Sequence, residues 1–311
     1  MQNKFKGIAS LLLATIIWGS AFIAQSVGMD YMGPFTFQAV RGLLAVAALL
    51  LLIGLRDLRQ RGKKPFFGDF RSKKLWKAGI LCGIPLFLAS NLQQVGLVNT
   101  DPGKSAFLTA MYIVMVPILG IFLGKRPSRM IPVSALLAVV GLYCLSCVGV
   151  TSVSPGDLFL LACALMFAVQ IIMVERFAGD TDPLALNLIQ CLVCTVLSGI
   201  VMFAAEAPVW SQIVSCWLPL CYAGILSLGI AFSLQILGQR HLESASASLI
   251  MSLESAFALL FGWILLGDTL TLWEGIGCAL VFLAVILSQI PTKELSAPKP
   301  AQEAQAENCK A

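Results

Sequence analysis

Charge and histidine are what this sequence is short of. Only 12% of its 311 residues are Asp, Glu, Lys or Arg, against about 25% in a soluble domain, which excludes an ordinary water-facing surface. The single histidine, His241, has no second histidine to join it in a metal cluster, and an interfacial place at the inner end of a helix suits it better than ligation. No G-x-x-x-x-G-K-[ST] loop occurs, so the chain carries no nucleotide-driven pump motif of its own. Polar low-complexity chain is confined to the end, "PTKELSAPKPAQEAQAENCKA" after Ile290, which reads as a disordered cytoplasmic tail over 291–311.

What is present is apolar. Hydrophobic residues make up 58% of the chain and mean hydropathy is +0.88. Charges and turn residues cut it into ten blocks, roughly 7–27, 34–55, 77–97, 105–124, 131–150, 157–175, 184–204, 213–237, 246–266 and 273–290. Each approaches the ~20 residues a helix needs to cross ~30 Å of hydrocarbon. The pattern predicts an all-α membrane protein of ten transmembrane helices in the lipid bilayer. The first block follows Lys4 and Lys6 as a signal peptide would, but parity with nine later helices predicts that it is kept.

Lysine and arginine set the expected orientation. With both termini inside, 19 of the 21 basic residues are cytoplasmic, Lys64, Arg126 and Lys299 among them. Lys104 falls outside with Asp30, Asp101, Glu206 and Asp268, and Arg41 lies within the second helix. The reading is N-in and C-in. The formal charge of +5 then belongs to a positive-inside face, and no nucleic-acid partner is expected.

Two C-x-x-C pairs, Cys144/Cys147 and Cys191/Cys194, have a spacing that suggests metal or redox chemistry in soluble proteins. Both lie inside apolar blocks, where cysteine packs as a small hydrophobe. No metal and no other cofactor is expected.

The chain also matches itself. A shift of 149 lays Trp18 on Phe167, Pro34 on Pro183, Gln38 on Asn187 and Arg41 on Gln190. A shift of 145 lays "AGIL" (78–81) on "AGIL" (223–226) and Phe87 on Phe232. The last two helices of each half align at 142 or 143; the smaller shift pairs Tyr112 with Glu254. Five helices is an odd number, so the second half begins on the opposite side from the first. This predicts two inverted five-helix repeats, 1–150 and 151–290, with substrate held near the midplane between them.

"WGSAF" (Trp18 to Phe22), "P-x6-R" (Pro34 to Arg41), "TAMYIVMVP" (Thr109 to Pro117) and "SLES…LLGDTLT" (Ser252 to Thr271) together resemble the EamA family of the drug/metabolite transporter superfamily, over roughly residues 5–290. Two positions depart from that family's pattern: Ser255 stands where proline often follows the glutamate, and Leu283 where glycine is common. The resemblance implies an inner-membrane exporter or exchanger of a small-molecule substrate, such as an amino acid, another metabolite or a drug.

Polar residues at membrane depth are the candidate substrate-binding groups. Gln38 and Arg41, Asn91 and Gln94, and Asn187 and Gln190 are each three apart and share a helix face. Single amides of this kind also hold bundles together; the set, repeated in both halves, predicts the lining of a central cavity, with Trp18 and Tyr112 as aromatic walls. Arg41, about 10 Å into its helix, is read as a partner for a substrate carboxylate, with a structural ion pair or carbonyl cap as the alternative. Glu254 is the only charge from Ser244 to Gly267. It reads either as a paired packing element or as the group that binds a coupling proton or a substrate amine. Small residues at 244, 248, 252 and 256 form a ridge for close helix contact.

Two function classes stay open. The main reading is a secondary transporter that works by alternating access; the other is a membrane-embedded enzyme acting on a lipid or small polar substrate. The scattered aspartates and lone histidine favour the first. Oligomeric state is not legible.

Overall fold

Apolar chain in lipid has no water to satisfy its backbone, so it must bond to its own turns. In the computed structural model of the protein, which describes residues 2–60, 68–125, 127–146, 154–266 and 271–290, the chain is helical throughout and no strand occurs among the described residues. Lys64, Arg126, Cys147, Asp268, Lys299, the "GDTL" of the last motif and the tail lie outside those residues.

The helices are α1 (Gln2–Met29), α2 (Pro34–Arg59), α3 (Lys73–Leu97), α4 (Pro102–Ala110), α5 (Tyr112–Phe122), α6 (Met130–Ser146), α7 (Pro155–Ala178) and α8 (Pro183–Ala205). After two short pieces, α9 (Trp210–Ser215) and α10 (Trp217–Cys221), a π-helical stretch (Tyr222–Ala231) leads into α11 (Phe232–Gln239). Then come α12 (Ser244–Met251), α13 (Leu253–Leu266) and α14 (Leu272–Ser288). Eight helical rods are long and apolar enough to cross a membrane, counting α4–α5, α10–α11 and α12–α13 as one rod each. The fifth and tenth blocks form shorter apolar helices, Met130–Leu145 and Leu272–Ser288. Large apolar side chains face outward around the bundle, Phe122 at 84% and Phe203 at 76% exposure among them. An outer surface of this kind suits hydrocarbon, and the protein is a multi-pass membrane protein.

Packing follows the sequence repeat. α2 lies against α8 and α6 against α14. α3 packs on α7 as the α10–α11 rod packs on α1, and α13 packs on α1 as α5 packs on α7. Exchanging the halves maps each contact onto another, which fits a two-repeat fold. The matched glycines explain part of this. A methyl on Gly79 would meet Ile189 of α8 at 2.3 Å, and one on Gly224 would meet the Arg41 carbonyl of α2 at 2.6 Å. Gly141 and Gly277 bring α6 and α14 together in the same way: each Cβ would strike the other's carbonyl oxygen, at 2.9 and 2.6 Å.

Both α4–α5 and α12–α13 are interrupted, at Met111 and Ser252, which share nearly the same backbone angles (φ −59, ψ −11 and φ −62, ψ −14). Neither break has a proline. Pro85 and Pro117 instead sit inside α3 and α5, which run through them. The N-caps Asp101 and Glu243 are 142 apart while the interruptions are 141 apart. The small-residue ridge is buried along its length, at Ser244, Ser248, Ser252 and Ala256.

The α2–α8 pair is clamped at both ends. The Glu206 carboxylate accepts from Phe35 N (3.0 Å), Thr36 N (2.7 Å) and Thr36 Oγ1 (2.5 Å) at the start of α2. At the other end Asp182 accepts from Ala185 N (3.0 Å) at the start of α8 and from Arg56 (2.7 Å). Acids at helix N-termini satisfy free N–H groups and the helix dipole together.

Candidate functional site

Between the halves lies a cavity of about 40 Å³, room for about three waters. Its walls come from α1, α2, α3, α4, α5, α7, the π stretch, α11, α12 and α13.

Arg41 enters from α2 and is buried at 2% exposure. Its Nε donates to Gln38 Oε1 (2.6 Å) and its Nη1 to Gln25 Oε1 (2.5 Å), and its guanidinium lies 5.7 Å over the Phe37 ring. No carboxylate among the described residues pairs with it. Two neutral oxygens orient the fork without cancelling its charge, so the guanidinium keeps a strong preference for an anion. The side-chain partners recorded among the described residues are these two amide oxygens, neither a carboxylate nor a backbone carbonyl.

Glu254, in the first turn of α13, is likewise buried and accepts from Tyr112 Oη at 2.9 Å. Tyr112 opens α5 and Glu254 stands one residue into α13, so both interruptions aim a polar side chain into the cavity. Trp18 stands edge-on to Phe232, ring centroids 5.0 Å apart at 65°. Phe167, its partner in the 149 shift, lines the same cavity.

Of the nine candidates, then, Trp18, Arg41, Tyr112 and Glu254 line the cavity, and Gln38, Asn91, Gln94, Asn187 and Gln190 do not. Gln38 stands directly behind Arg41. Asn187 and Gln190 are bonded to each other (2.8 Å). Asn91 donates to Ser198 (2.8 Å) and Gln94 to the Met29 sulfur (3.5 Å), both between helices. Cys191 and Cys194 are buried free thiols, and no group of three potential metal ligands exists among the described residues.

Four cavity amides escaped the sequence reading: Gln25, Gln93, Gln170 and Gln235. None has an amide three residues away, the spacing that singled out the others; Gln235 has Gln239 four residues on in α11. The detectable signal was simply an amide in an apolar block. Eight buried polar side-chain atoms lack a hydrogen-bond partner among the described residues; two belong to cavity residues, Trp18 Nε1 and Gln235 Oε1.

The sequence pattern of the EamA-like transporter family matches this chain twice, over residues 5–147 and 154–289. The chain belongs to the EamA-like transporter family. It is 31% identical to an uncharacterised transporter of Archaeoglobus fulgidus, over 89% of this chain and 83% of that one. It is 27% identical to the threonine/homoserine exporter RhtA of Escherichia coli K12, covering 85% and 84%. A crystal structure at 20% identity shares the fold with a TM-score of 0.72, covering 93% of this chain and 98% of that one. This family membership accounts for the apolar helices.

Proposed function

We propose that this EamA-family protein is a secondary transporter of the inner membrane that exports or exchanges a zwitterionic metabolite of the amino-acid class. It works by alternating access between two inverted repeats, residues 1–150 and 151–290, with ten spans and both termini in the cytoplasm; it is not an enzyme. The observation that carries this reading is a dipolar cavity. An unpaired guanidinium from one half and a carboxylate from the other face the same small space. An α-carboxylate suits Arg41 through charge-assisted hydrogen bonds, and an α-ammonium suits Glu254. That RhtA exports threonine and homoserine supports the same class.

Glu254 either accepts the amine or exchanges a coupling proton for it. Gln38, Asn187 and Gln190 stand behind the wall and hold its geometry. Asn91 and Gln94 tie α3 to its neighbours.

The test is uptake and counterflow of labelled L-threonine and a panel of other amino acids in proteoliposomes, with a control for chemical turnover. Saturable flux into the lumen is expected. Turnover without net movement of solute would replace the transporter with the membrane enzyme. Orientation is read separately: cysteines placed at Asp30 and Glu206 label from outside, and one at Lys74 labels only from inside.

A further inference from the structure

Asn187 on α8 donates its Nδ2 to the carbonyl oxygens of Leu228 (3.0 Å) and Gly229 (2.7 Å), in the last turn of the π-helical stretch. Where i→i+5 spacing gives way to i→i+4, successive carbonyls converge on one N–H, so carbonyls there have capacity to spare. A carbonyl only accepts. The nitrogen of Asn187 must therefore face the π stretch, and its Oδ1 is left to accept from Gln190 Nε2 (2.8 Å). Gln190 Oε1 in turn accepts from Gln170 Nε2 (3.3 Å), and Gln170 Oε1 from Gln235 Nε2 (3.1 Å).

Each of these amides donates on one side and accepts on the other. The direction fixed at the two carbonyls therefore passes along all four residues, which span α8, α7 and α11. It ends at Gln235 Oε1. Gln235 is 1% exposed, lines the cavity, and its Oε1 has no partner among the described residues. An amide free to turn would not leave a buried acceptor unpaired; this one is held by the chain behind it.

We infer that Gln235 Oε1 is a preset acceptor that selects substrates carrying a hydrogen-bond donor, the ammonium or a side-chain hydroxyl, with Gln170 as its positioning residue. The inference rests on the transporter reading above and adds a selectivity element to it. The site then has a fixed polarity: Arg41 and the unpaired Trp18 Nε1 donate on one side, and Gln235 Oε1 accepts on the other. A site that hydrogen-bonds a substrate group rejects the analogue lacking it far better than an apolar pocket does.

The experiment uses the purified full chain. Thermal midpoints are recorded without ligand and with L-threonine, with L-2-aminobutyrate, which lacks the hydroxyl, and with 3-hydroxybutyrate, which lacks the ammonium. Gln235→Met keeps the side-chain length and removes both polar atoms. It deletes one unpaired acceptor and creates another on Gln170, so the ligand-free midpoint is expected to stay near that of the wild type. The threonine concentration needed for stabilisation is expected to rise at least tenfold. Whichever analogue loses its disadvantage against threonine in the variant identifies the donor that Gln235 reads. Gln170→Met leaves Gln235 in place but free to turn, and is expected to weaken the same discrimination.

A ligand-free midpoint well below wild type would make Gln235 a structural amide and overturn the inference. So would unchanged threonine binding in Gln235→Met. If no amino acid stabilises the wild type, the amino-acid reading of the function fails by itself, because the ligand-free comparison still reports whether the acceptor stands open.

Discussion

Residues 38 and 41 of α2 and residues 187 and 190 of α8 hold equivalent places in the two halves, and the same bond joins each pair. Arg41 Nε donates to Gln38 Oε1 at 2.6 Å, and Gln190 Nε2 to Asn187 Oδ1 at 2.8 Å. Each second residue then meets a glutamine of the first helix of its own half, Gln25 on α1 or Gln170 on α7. There the likeness ends. Arg41 donates to Gln25, whereas Gln190 accepts from Gln170. One framework thus presents a cation in the first half and a neutral, acceptor-ended chain in the second. The repeat supplies the scaffold, and the cavity's direction comes from where the halves differ.

Making the halves alike should have the largest effect. Arg41→Gln installs the residue found at the equivalent position and removes the one cation among the described cavity residues. A hydrogen bond to a charged group contributes about 1.5–3 kcal/mol, roughly 10- to 100-fold in affinity. The half-saturation concentration for amino-acid flux should rise by that factor, with the protein still folded because an amide can meet Gln38 and Gln25. Normal flux with unchanged half-saturation would remove Arg41 from the substrate site.

The carboxylate of the second half comes next. At the 142 shift its sequence partner is Tyr112, the residue it bonds to. Glu254→Gln keeps the shape and the tyrosine contact but cannot change charge. Net transport should lose its pH dependence while exchange of one amino acid for another persists. If the pH profile matches wild type, Glu254 holds α5 to α13 and carries no proton.

Much of the architecture could be read in advance because lipid imposes it. All ten apolar blocks became helices, and α2, α8 and α14 begin within a residue of the expected places. The short α6 and α14 were harder, since composition shows where charge stops but not where a helix ends. Other features depend on contacts. The breaks at Met111 and Ser252 and the π stretch at Tyr222–Ala231 carry no proline or glycine pattern that separates them from neighbouring sequence. The paired amides were visible because two polar residues three apart mark a face. Gln170 and Gln235 were not, because neither has an amide three residues away and only the bundle brings the amide of α7 to that of α11. Even where the pattern found a face, as with Asn187 and Gln190, it did not tell the wall of the cavity from the layer behind it.

Glycines in α14 give a smaller and purely structural contrast. A methyl on Gly277 would lie 2.6 Å from the Gly141 carbonyl and 2.7 Å from Leu145 N, both backbone, while Gly275 has nothing within 4 Å. Backbone cannot step aside as a side chain can, and overpacking costs about 1–3 kcal/mol. Gly277→Ala should lower the thermal midpoint of the purified protein. Gly275→Ala should hold or raise it, since alanine is favoured over glycine in a helix by ~0.5–1 kcal/mol. Equal effects would show that α6 and α14 do not meet through Gly141 and Gly277.

The smallest effect of all should come from one of two ion pairs at opposite ends of α7, and the other should not share it. Lys104 meets Asp157 at 2.6 Å with side-chain exposures of 13% and 8%, and Asp157 also accepts from Ser154 N at 2.9 Å. The pair joins the starts of α4 and α7. At the equivalent place in the other half, the start of α12 is held by Glu175, which accepts from Ser244 N at 3.1 Å. Lys104→Ala leaves a buried carboxylate short of its cation, and a loss of about 1.5–3 kcal/mol is expected. Lys74 meets Asp180 at 2.8 Å, but both side chains are exposed, at 60% and 61%. Through its hydrogen bond and charge, the Lys74 ammonium holds the Asp180 carboxyl below the usual carboxylate range. A depressed carboxylate contributes stability that is present above its unfolded value and lost as pH falls through its folded one. Any contribution of this pair is therefore complete at neutral pH and disappears on acidification. Water and salt screen a pair this exposed, so Lys74→Ala should leave the thermal midpoint at pH 7 within error, where Lys104→Ala lowers it. A Lys74→Ala loss as large as that of Lys104→Ala would mean that the α3–α7 end is buried against something beyond this chain.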